Sequence, residues 1–185
     1  MGKHDNIFLV GLMGAGKTTI GKSLARQLEK TFYDSDYVLE QRTGVRIPVI
    51  FEIEGEAGFR KREEEALEGL TCRDNIVLAT GGGAVLAASN REKLKARGTV
   101  VYLHGRPEDL CQRTRHDKNR PLLQTENRMQ KLKDLYQVRD PLYREVADIV
   151  VDTGRQSIQS LTEKLKRQLV DLGYAGKGET SPEQI

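Results

Sequence analysis

The stretch GLMGAGKT, residues 11–18, stands between a short apolar run and a helical pattern. Residues 7–10 are all apolar and predict a buried strand, whereas residues 19–28 place Ile20, Leu24 and Leu28 on one stripe of a helix. In this context the stretch matches the G-x-x-x-x-G-K-[ST] pattern of a phosphate-binding loop. Its glycines let backbone N–H groups surround a phosphate, and the positive end of the following helix faces the anion. The stretch therefore predicts a nucleotide-binding protein.

Two side chains of this loop, Lys17 and Thr18, are candidates for the chemistry. A lysine at this position reaches the β- and γ-phosphates, and the threonine hydroxyl is a ligand of Mg²⁺. The alternative is a glycine-rich turn that binds nothing. The strand before the loop, the helix after it and the Lys-Thr pair in register favour the phosphate-binding interpretation.

The composition is that of one globular domain, because 185 residues suffice for a single core and no long polar tract precedes the C-terminal end. A net charge of +3 is too small to indicate nucleic-acid binding by itself. The two cysteines lack metal-site spacing and are expected to be thiols in a reducing compartment. No apolar run reaches the roughly 18 residues of a membrane helix, and no signal peptide precedes the first strand. We therefore expect a soluble, cytoplasmic protein without membrane contact.

Four further apolar runs, at residues 31–33, 76–79, 100–103 and 149–151, predict strands of a parallel sheet. Helical patterns separate them: a capping box at Ser89 predicts one helix start, and residues 157–172 carry a second apolar stripe. The alternation predicts a three-layer α/β/α domain with right-handed crossovers. Small and polar residues from Gly173 onward predict a frayed end. We place the domain at residues 1–175 and a flexible tail at residues 176–185.

Two acidic residues, Asp34 and Asp36, follow the second predicted strand. This is the carboxyl end of a strand, where open α/β sheets bind their ligands. The pair can hold Mg²⁺ through water and accept a proton from a hydroxyl group. The alternative is that these residues cap the next helix, which is a common use of Asp. Next to a phosphate-binding loop, the functional interpretation is favoured.

Arg60 and a run of glycines are candidates for binding a substrate. Arg60 can form a bidentate fork for an anionic group, or it can pair with Glu63 or Glu64 one helical turn on. Three glycines in succession would be a costly plain turn, because each loses much conformational freedom on folding. Directly after a strand, they expose backbone N–H groups to a substrate at close range: Gly81, Gly82 and Gly83.

Residues 113–123 are dense in positive charge. A solvated loop is the default interpretation of such a run. In a phosphoryl-transfer enzyme the same loop can be a lid that excludes water and brings Arg120 onto the transferring phosphate. Further on, Arg139 lies in a helical pattern that Pro141 is predicted to kink or interrupt.

Taken together, these motifs resemble those of the shikimate kinase family. The resemblance covers residues 7 to about 155, and its set of motifs is far more specific than the phosphate-binding loop alone. The matching segments, in family order, are GLMGAGKTTIG (11–21), FYDSD (32–36), EGEAGFRKRE (54–63), LATGGG (78–83), NRPLL (119–123) and RDPLY (139–143). The resemblance implies a P-loop NTPase fold with a five-stranded parallel sheet of order 2-3-1-4-5, a substrate-binding segment at about 35–63 and a lid at about 114–126.

The resemblance also implies an activity. Members of the family transfer the γ-phosphate of MgATP to the 3-hydroxyl of shikimate, giving shikimate 3-phosphate and ADP, in the biosynthesis of chorismate and the aromatic amino acids. The implied cofactors are ATP and Mg²⁺, and the implied partner is a small molecule rather than a nucleic acid or a membrane. By resemblance the enzyme works as a monomer. Mild departures are Leu12 where many members have Pro and Thr18 where many have Ser.

The resemblance assigns roles to individual positions. The catalytic residues would be Lys17, Asp36 and Arg120, with Asp36 either taking the proton or only positioning the hydroxyl. Shikimate would be bound by Asp36, Arg60, Gly81, Gly82, Gly83 and Arg139, with the two arginines on its carboxylate. Mg²⁺ would be held by Thr18 and Asp34. The nucleotide would be bound by Gly14, Ala15, Gly16, Lys17, Thr18, Thr19, Arg113, Arg120 and Gln156, where Arg113 and Gln156 belong to the adenine end.

Three rival interpretations remain at the level of the sequence. A gluconate kinase would share the phosphate-binding loop but not the combination of FR, GGG and RDPLY. A regulatory protein that has lost catalysis would lack Lys17, Asp36 or Arg120, and all three are present. A nucleic-acid motor would need a second ATPase motif and a basic-aromatic platform, and neither is recognisable.

Overall fold

A parallel β-sheet forms the centre of the protein. The structure, a computed structural model, describes residues 5–174. Its strands are β1 (Ile7–Val10), β2 (Thr31–Asp34), β3 (Ile76–Ala79), β4 (Thr99–His104) and β5 (Ile149–Asp152). They pair in the order β2-β3-β1-β4-β5, all parallel, with Ile7 of β1 opposite Val77 and Thr99. The predicted strands and the predicted order are confirmed.

Helices cover the sheet. They are α1 (Lys17–Gln27), α2 (Ser35–Thr43), α3 (Ile47–Thr71), α4 (Ala88–Arg97), α5 (Pro107–Thr114), α6 (Arg128–Val146) and α7 (Ile158–Asp171). Short 3₁₀ turns lie at Ala84–Leu86 and Pro121–Leu123. Helix α1 packs with α7 and against β3, while α4 packs with α6 and against β4. Apolar helix faces thus bury the sheet, which gives the three-layer arrangement expected of parallel strands.

The central strands are apolar along their whole length because both of their faces are covered. Every residue of β1 and β3 is buried. Helix α1 approaches the sheet most closely at Gly21, where a Cβ atom would lie 2.6 Å from the ring of Phe32 and 3.1 Å from Leu9. A glycine is required there by this close approach, and it sets the distance of α1, and hence of the phosphate-binding loop, from the sheet.

Helix α3 bends where the sequence predicts the substrate-binding segment. Gly55 has φ 69° and ψ −178° inside the assigned helix, a backbone conformation that favours glycine. The residues before it pack Ile50 into a small apolar cluster with Leu39 and Phe59, separate from the main core. The bend therefore separates the first half of α3, which packs on Leu39 of α2, from the half that contributes Leu67 and Leu70 to the main core.

One local prediction is wrong. Helix α4 begins at Ala88 and has no side-chain cap, so the predicted capping box does not form. Ser89 lies inside the helix and its hydroxyl donates to Glu64, while the side chain of Asn90 donates to the carbonyl of Ala84. Pro141 lies inside α6, which runs from Arg128 to Val146, so of the kink or interruption predicted there the interruption is absent.

The chain is still packed where the sequence predicts the start of a frayed end. The N–H of Tyr174 donates to the carbonyl of Leu169 at 3.0 Å, and the ammonium of Lys30 lies 4.9 Å from the centre of the Tyr174 ring. The predicted tail at residues 176–185 lies outside the described residues. Within residues 5–174, none of the helices is long and apolar enough to cross a membrane.

Candidate active site

A cleft of about 540 Å³ opens at the carboxyl edge of the sheet, between the start of α1 and the ends of β2 and β3. A second pocket continues from it toward the bend of α3. Asp36, Gly81, Gly82 and Arg120 line both spaces. The two compartments therefore meet at these residues, as a site for two reacting molecules requires.

The loop between β1 and α1 has the backbone geometry that its glycines allow. Gly14 and Gly16 have φ angles of 81° and 96°, in the region that favours glycine. The ammonium of Lys17 lies at the base of the loop and donates to the carbonyls of Gly11 and Leu12 at 2.6 and 2.9 Å. The residues of the loop and of the start of α1 that line the cleft are Gly14, Gly16, Lys17, Thr18 and Thr19. A smaller neighbouring pocket is lined by Gly14, Ala15, Gly16 and Thr19.

Thr18 and Asp34 meet across the cleft. The Thr18 hydroxyl donates to Oδ2 of Asp34 at 2.7 Å, while Oδ1 of Asp34 accepts the N–H groups of Asp36 and Tyr37 at 3.0 and 3.3 Å. Asp34 therefore caps α2, which is the alternative that the sequence leaves open, and presents its second oxygen to the cleft. A hydroxyl and a carboxylate oxygen side by side are the hard donors that Mg²⁺ prefers. No group of three or more His, Cys, Asp or Glu suited to a metal occurs in the described part of the chain.

Lys17 and Asp36 are titrating groups of the cleft, and Asp36 also lines the second pocket. Burial lowers the pKa of Lys17 to about 7, and the nearby Arg120 acts in the same direction. Burial raises the pKa of Asp36 to about 6, with a further contribution from Asp34. Each group is thus shifted toward neutrality, where proton transfer at physiological pH is efficient.

The second pocket combines an apolar wall with paired arginines. Phe51 and Phe59 face each other with ring centres 4.8 Å apart, and Met13 and Ile47 extend this wall. The guanidinium of Arg60 lies over the Phe59 ring, 5.1 Å from its centre. The charged and backbone groups of the lining are Asp36, Arg60, Glu63, Gly81, Gly82, Gly83 and Arg139. The pocket therefore suits a small ligand with an apolar ring face, an anionic group and hydroxyls.

Arg60 faces this pocket and is also held in an ion pair. Its Nη1 donates to Glu63 at 2.9 Å and its Nη2 to Glu56 at 3.2 Å. The pairing alternative and the pocket position both apply, because one guanidinium has donors for two partners. The sequence indicates Glu63 only as a surface partner, yet Glu63 is 2% exposed. Its Oε2 has no hydrogen-bond partner within residues 5–174, and burial raises the pKa of Glu63 to about 7.

The glycine run packs tightly against these side chains. A Cβ atom on Gly81 would lie 2.7 Å from Oε2 of Glu63 and 2.8 Å from Oδ1 of Asp36, and one on Gly83 would lie 2.4 Å from the guanidinium of Arg60. The run is therefore glycine because three functional side chains occupy the space around it. The Ser35 hydroxyl accepts the N–H of Gly81 at 2.9 Å and pins the start of the loop.

Arg139 enters the pocket from α6 and is buried, with 2% of its surface exposed. Its guanidinium Nη1 lies 3.5 Å from where a Cβ of Gly82 would stand, and Tyr143 follows one turn later on the same helix. Burial lowers the pKa of Arg139, which nevertheless stays charged as a guanidinium. A buried cation of this kind is suited to an anionic ligand.

The segment predicted to be a lid lines both spaces through Asn119 and Arg120. Asp117 organises the loop, since its carboxylate accepts the N–H of Asn119 at 2.8 Å and Nε of Arg120 at 3.0 Å. The side chain of Arg46, at the start of α3, donates to Oδ1 of Asn119 and so joins the lid to the opposite wall. Arg46 was missed from the sequence, because nothing in a lone exposed arginine indicates a partner 73 residues away.

The neighbouring pocket, about 270 Å³, lies beyond the phosphate-binding loop. Arg113 is held over it, with Nη2 donating to the carbonyl of Thr153 at 3.0 Å and Nη1 to that of Gly14 at 3.3 Å. Gln156 and Ile158 form other parts of the wall. Ile158 is 46% exposed, although the sequence assigns it only to the apolar stripe of α7. A planar cation and an exposed aliphatic side chain bordering one pocket suit a flat heterocycle.

The sheet order and the loop at the start of α1 define a protein of the P-loop kinase class. The sequence matches the family described as shikimate kinase over residues 13–170. The chain therefore belongs to the shikimate kinase family.

Individual relatives agree with this membership. The chain is 63% identical over 169 residues to a shikimate kinase of Thiobacillus denitrificans, covering 91% of this chain and 92% of the relative. Its structure is similar to that of the shikimate kinase from Acinetobacter baumannii in complex with shikimate, with a TM-score of 0.89, 54% identity and coverage of 90% and 93% of the two chains. A gluconokinase from Sinorhizobium meliloti is 18% identical over 91% of this chain and 95% of its own, with a TM-score of 0.54, and shares the fold.

Proposed function

We propose that the protein transfers the γ-phosphate of MgATP to the 3-hydroxyl of shikimate, giving shikimate 3-phosphate and ADP. The observation that carries the proposal is the junction of two compartments at Asp36 and Arg120, with the phosphate-binding loop on one side. On the other side lies a pocket that pairs two arginines with a glycine loop. The related Acinetobacter enzyme forms a complex with shikimate, and membership of the same family supports the same substrate here.

In this proposal the second pocket binds shikimate. Arg60 and Arg139 hold the carboxylate, since guanidinium groups bind carboxylates in a bidentate manner. The apolar wall at Phe51 and Phe59 packs against the ring. Asp36 and the N–H groups of Gly82 and Gly83 bind the ring hydroxyls, and Glu63 keeps Arg60 in place.

The nucleotide occupies the cleft and its neighbouring pocket. The backbone N–H groups of residues 14–19 surround the phosphates, and Arg113 and Ile158 border the adenine site. Gln156 lies at the same end. Thr18 and Asp34 hold Mg²⁺, which neutralises phosphate charge when bound. Arg120 reaches the phosphates from the lid.

Phosphoryl transfer passes through a loose transition state, so the protein supplies alignment and positive charge rather than covalent chemistry. Lys17 and Arg120 stabilise the negative charge on the transferring group. Asp36 orients the 3-hydroxyl and accepts its proton, because a pKa of about 6 leaves the carboxylate mostly ionised at pH 7. The lid excludes water, which would otherwise accept the phosphate.

We further propose that residues 1–175 form one catalytic unit that works as a monomer. Its substrate-binding segment spans about 35–63 and its lid about 114–126. Support comes from the bend of α3 and from the Arg46–Asn119 contact, which joins the two segments across the cleft.

The decisive experiment is ADP release from MgATP with shikimate, with gluconate and without an acceptor, in wild-type protein and in Lys17→Ala. Release that depends on shikimate and disappears in the variant supports the proposal. Release with gluconate alone would identify a gluconate kinase instead and would contradict the proposed binding of the shikimate carboxylate by Arg60 and Arg139. Binding of ATP without release in any arm would favour a regulatory protein.

A further inference from the structure

Tyr143 is a buried polar group that the proposed mechanism does not use. Its side chain is 0% exposed, and it lies one helical turn after Arg139 on α6. The hydroxyl donates to the carbonyl of Gly82 in the substrate pocket, and the charge of Arg139 lies near enough to influence its pKa. The hydroxyl thus binds the glycine run beside the buried arginine.

Both of these neighbours need a restraint. Three successive glycines have more backbone freedom than any other tripeptide, and Gly82 is the central one. In a trans peptide the carbonyl of Gly82 and the N–H of Gly83 point in opposite directions, so holding the carbonyl also sets the direction of that N–H. A long arginine side chain, for its part, loses much rotamer freedom when it is held for a ligand.

We propose that Tyr143 is a positioning residue for the carboxylate of the substrate. Its hydroxyl keeps the peptide of Gly82 and the guanidinium of Arg139 in one fixed arrangement. The inference rests on the proposed function, because it concerns the carboxylate that Arg139 is proposed to bind. Burial raises the pKa of Tyr143 above its usual range, so the hydroxyl keeps its proton and remains a donor to Gly82 throughout the working range of pH.

The chain offers a matched control in Tyr102. This tyrosine is also buried, at 1% exposure, and its ring lies 4.9 Å from that of Tyr143. Its hydroxyl donates to Asp140 at 2.7 Å rather than to the pocket. Tyr102→Phe therefore removes the same atom from the same aromatic pair, and only the target of the lost hydrogen bond differs.

The test compares Tyr143→Phe and Tyr102→Phe with shikimate and with shikimate methyl ester, which lacks the negative charge. We expect Tyr143→Phe to raise the KM for shikimate about tenfold, since it removes the hydrogen bond that holds Gly82 beside Arg139. The kcat should stay within about threefold, because the reacting hydroxyl lies elsewhere. With the ester the same variant should change the KM less than about twofold. Tyr102→Phe should leave both values near wild type.

Three results would overturn the inference while leaving the proposed function intact. They are an unchanged KM for shikimate in Tyr143→Phe, equal losses with shikimate and the ester, and equal losses in the two tyrosine variants. The last two would assign Tyr143 a general structural role. If wild-type protein released no ADP with shikimate, the proposed function would fail, and this inference with it.

A second measurement uses the wild-type protein alone and does not depend on the folding of a variant. Tyrosine labelled with ¹³C at Cζ reports the hydrogen bonds of each hydroxyl by NMR. Saturating shikimate should shift the Tyr143 resonance, because the neighbouring guanidinium of Arg139 then takes up a carboxylate, and the ester should shift it much less. An unshifted resonance at saturating shikimate would contradict the coupling.

Discussion

Gly83→Ala is a steric test of the substrate pocket. The backbone of Gly83, with φ −94° and ψ 4°, is open to alanine, so the change stores little backbone strain. The new methyl would lie 2.4 Å from Cζ, Nη1 and Nη2 of Arg60. Ordinary contact begins at 3.4 Å, so the guanidinium must shift by at least 1.0 Å, the difference between the two distances.

The size of the effect follows from what Arg60 is proposed to do. A hydrogen bond to a charged group contributes about 1.5–3 kcal/mol, and its loss corresponds to a change of about 10- to 150-fold in affinity. We therefore expect the KM for shikimate to rise at least about tenfold. The KM for ATP should stay within about twofold, because Arg60 does not line the nucleotide cleft.

Steady-state kinetics with each substrate varied in turn, together with a thermal melt, measures this split. Gly69→Ala is the control, because it adds a methyl near the end of α3, away from the pocket. The nearest neighbour of this methyl is the guanidinium of Arg42 at 3.3 Å. It should leave both KM values unchanged. An unchanged KM for shikimate in a folded Gly83→Ala protein would refute the placement of Arg60 on the substrate, and equal rises in both KM values would indicate a general distortion.

Three further predictions concern individual side chains. Lys17→Ala should lower kcat by about 10²-fold or more, since it removes charge stabilisation from the transition state, whereas calorimetry should still detect shikimate binding. Glu63→Gln should stabilise the protein increasingly as pH rises from about 4.5 to 7. The pKa of Glu63 is about 7 in the folded protein and 4.5 ordinarily, so above pH 4.5 its ionisation opposes folding, by up to about 3 kcal/mol above pH 7. Parallel melts of the two proteins at pH 5 and pH 8 measure how far the variant is stabilised. Arg46→Ala and Asn119→Ala should each lower kcat/KM for ATP only a few-fold, because the contact between them is exposed. The double variant should lose no more than either single variant, because both changes remove the same contact. Additive losses would contradict the contact.

The sequence predicted the architecture well because its signals are local. Apolar runs of strand length and the helical stripes that separate them follow from burial on both faces of a parallel sheet. The misplaced start of α4 shows the limit of such signals. Ser89 and Glu92 have the spacing of a capping box, but the Ser89 hydroxyl donates to Glu64 of α3. A tertiary hydrogen bond of this kind replaces the local one that the spacing predicts.

Single residues with two uses illustrate a second limit. From the sequence, Asp34 is either a cap or a ligand, and Arg60 is either an ion-pair partner or a substrate fork. In the structure one oxygen of Asp34 caps α2 and the other meets Thr18, while Arg60 pairs with Glu63 and also lines the pocket. A carboxylate and a guanidinium each have several hydrogen-bonding positions, so the sequence alternatives were not exclusive.

The sequence by itself determined the phosphate-binding loop, because every requirement of GLMGAGKT lies within a few residues: glycines with positive φ, a strand before them and a helix after them. Only the tertiary structure decided the roles of Glu63, Arg46 and Tyr143. Tyr143 meets Gly82 across 61 residues and Arg46 meets Asn119 across 73. Such contacts arise when α3, α6 and the lid pack around the end of the sheet, and no local periodicity records which distant side chains that packing brings together.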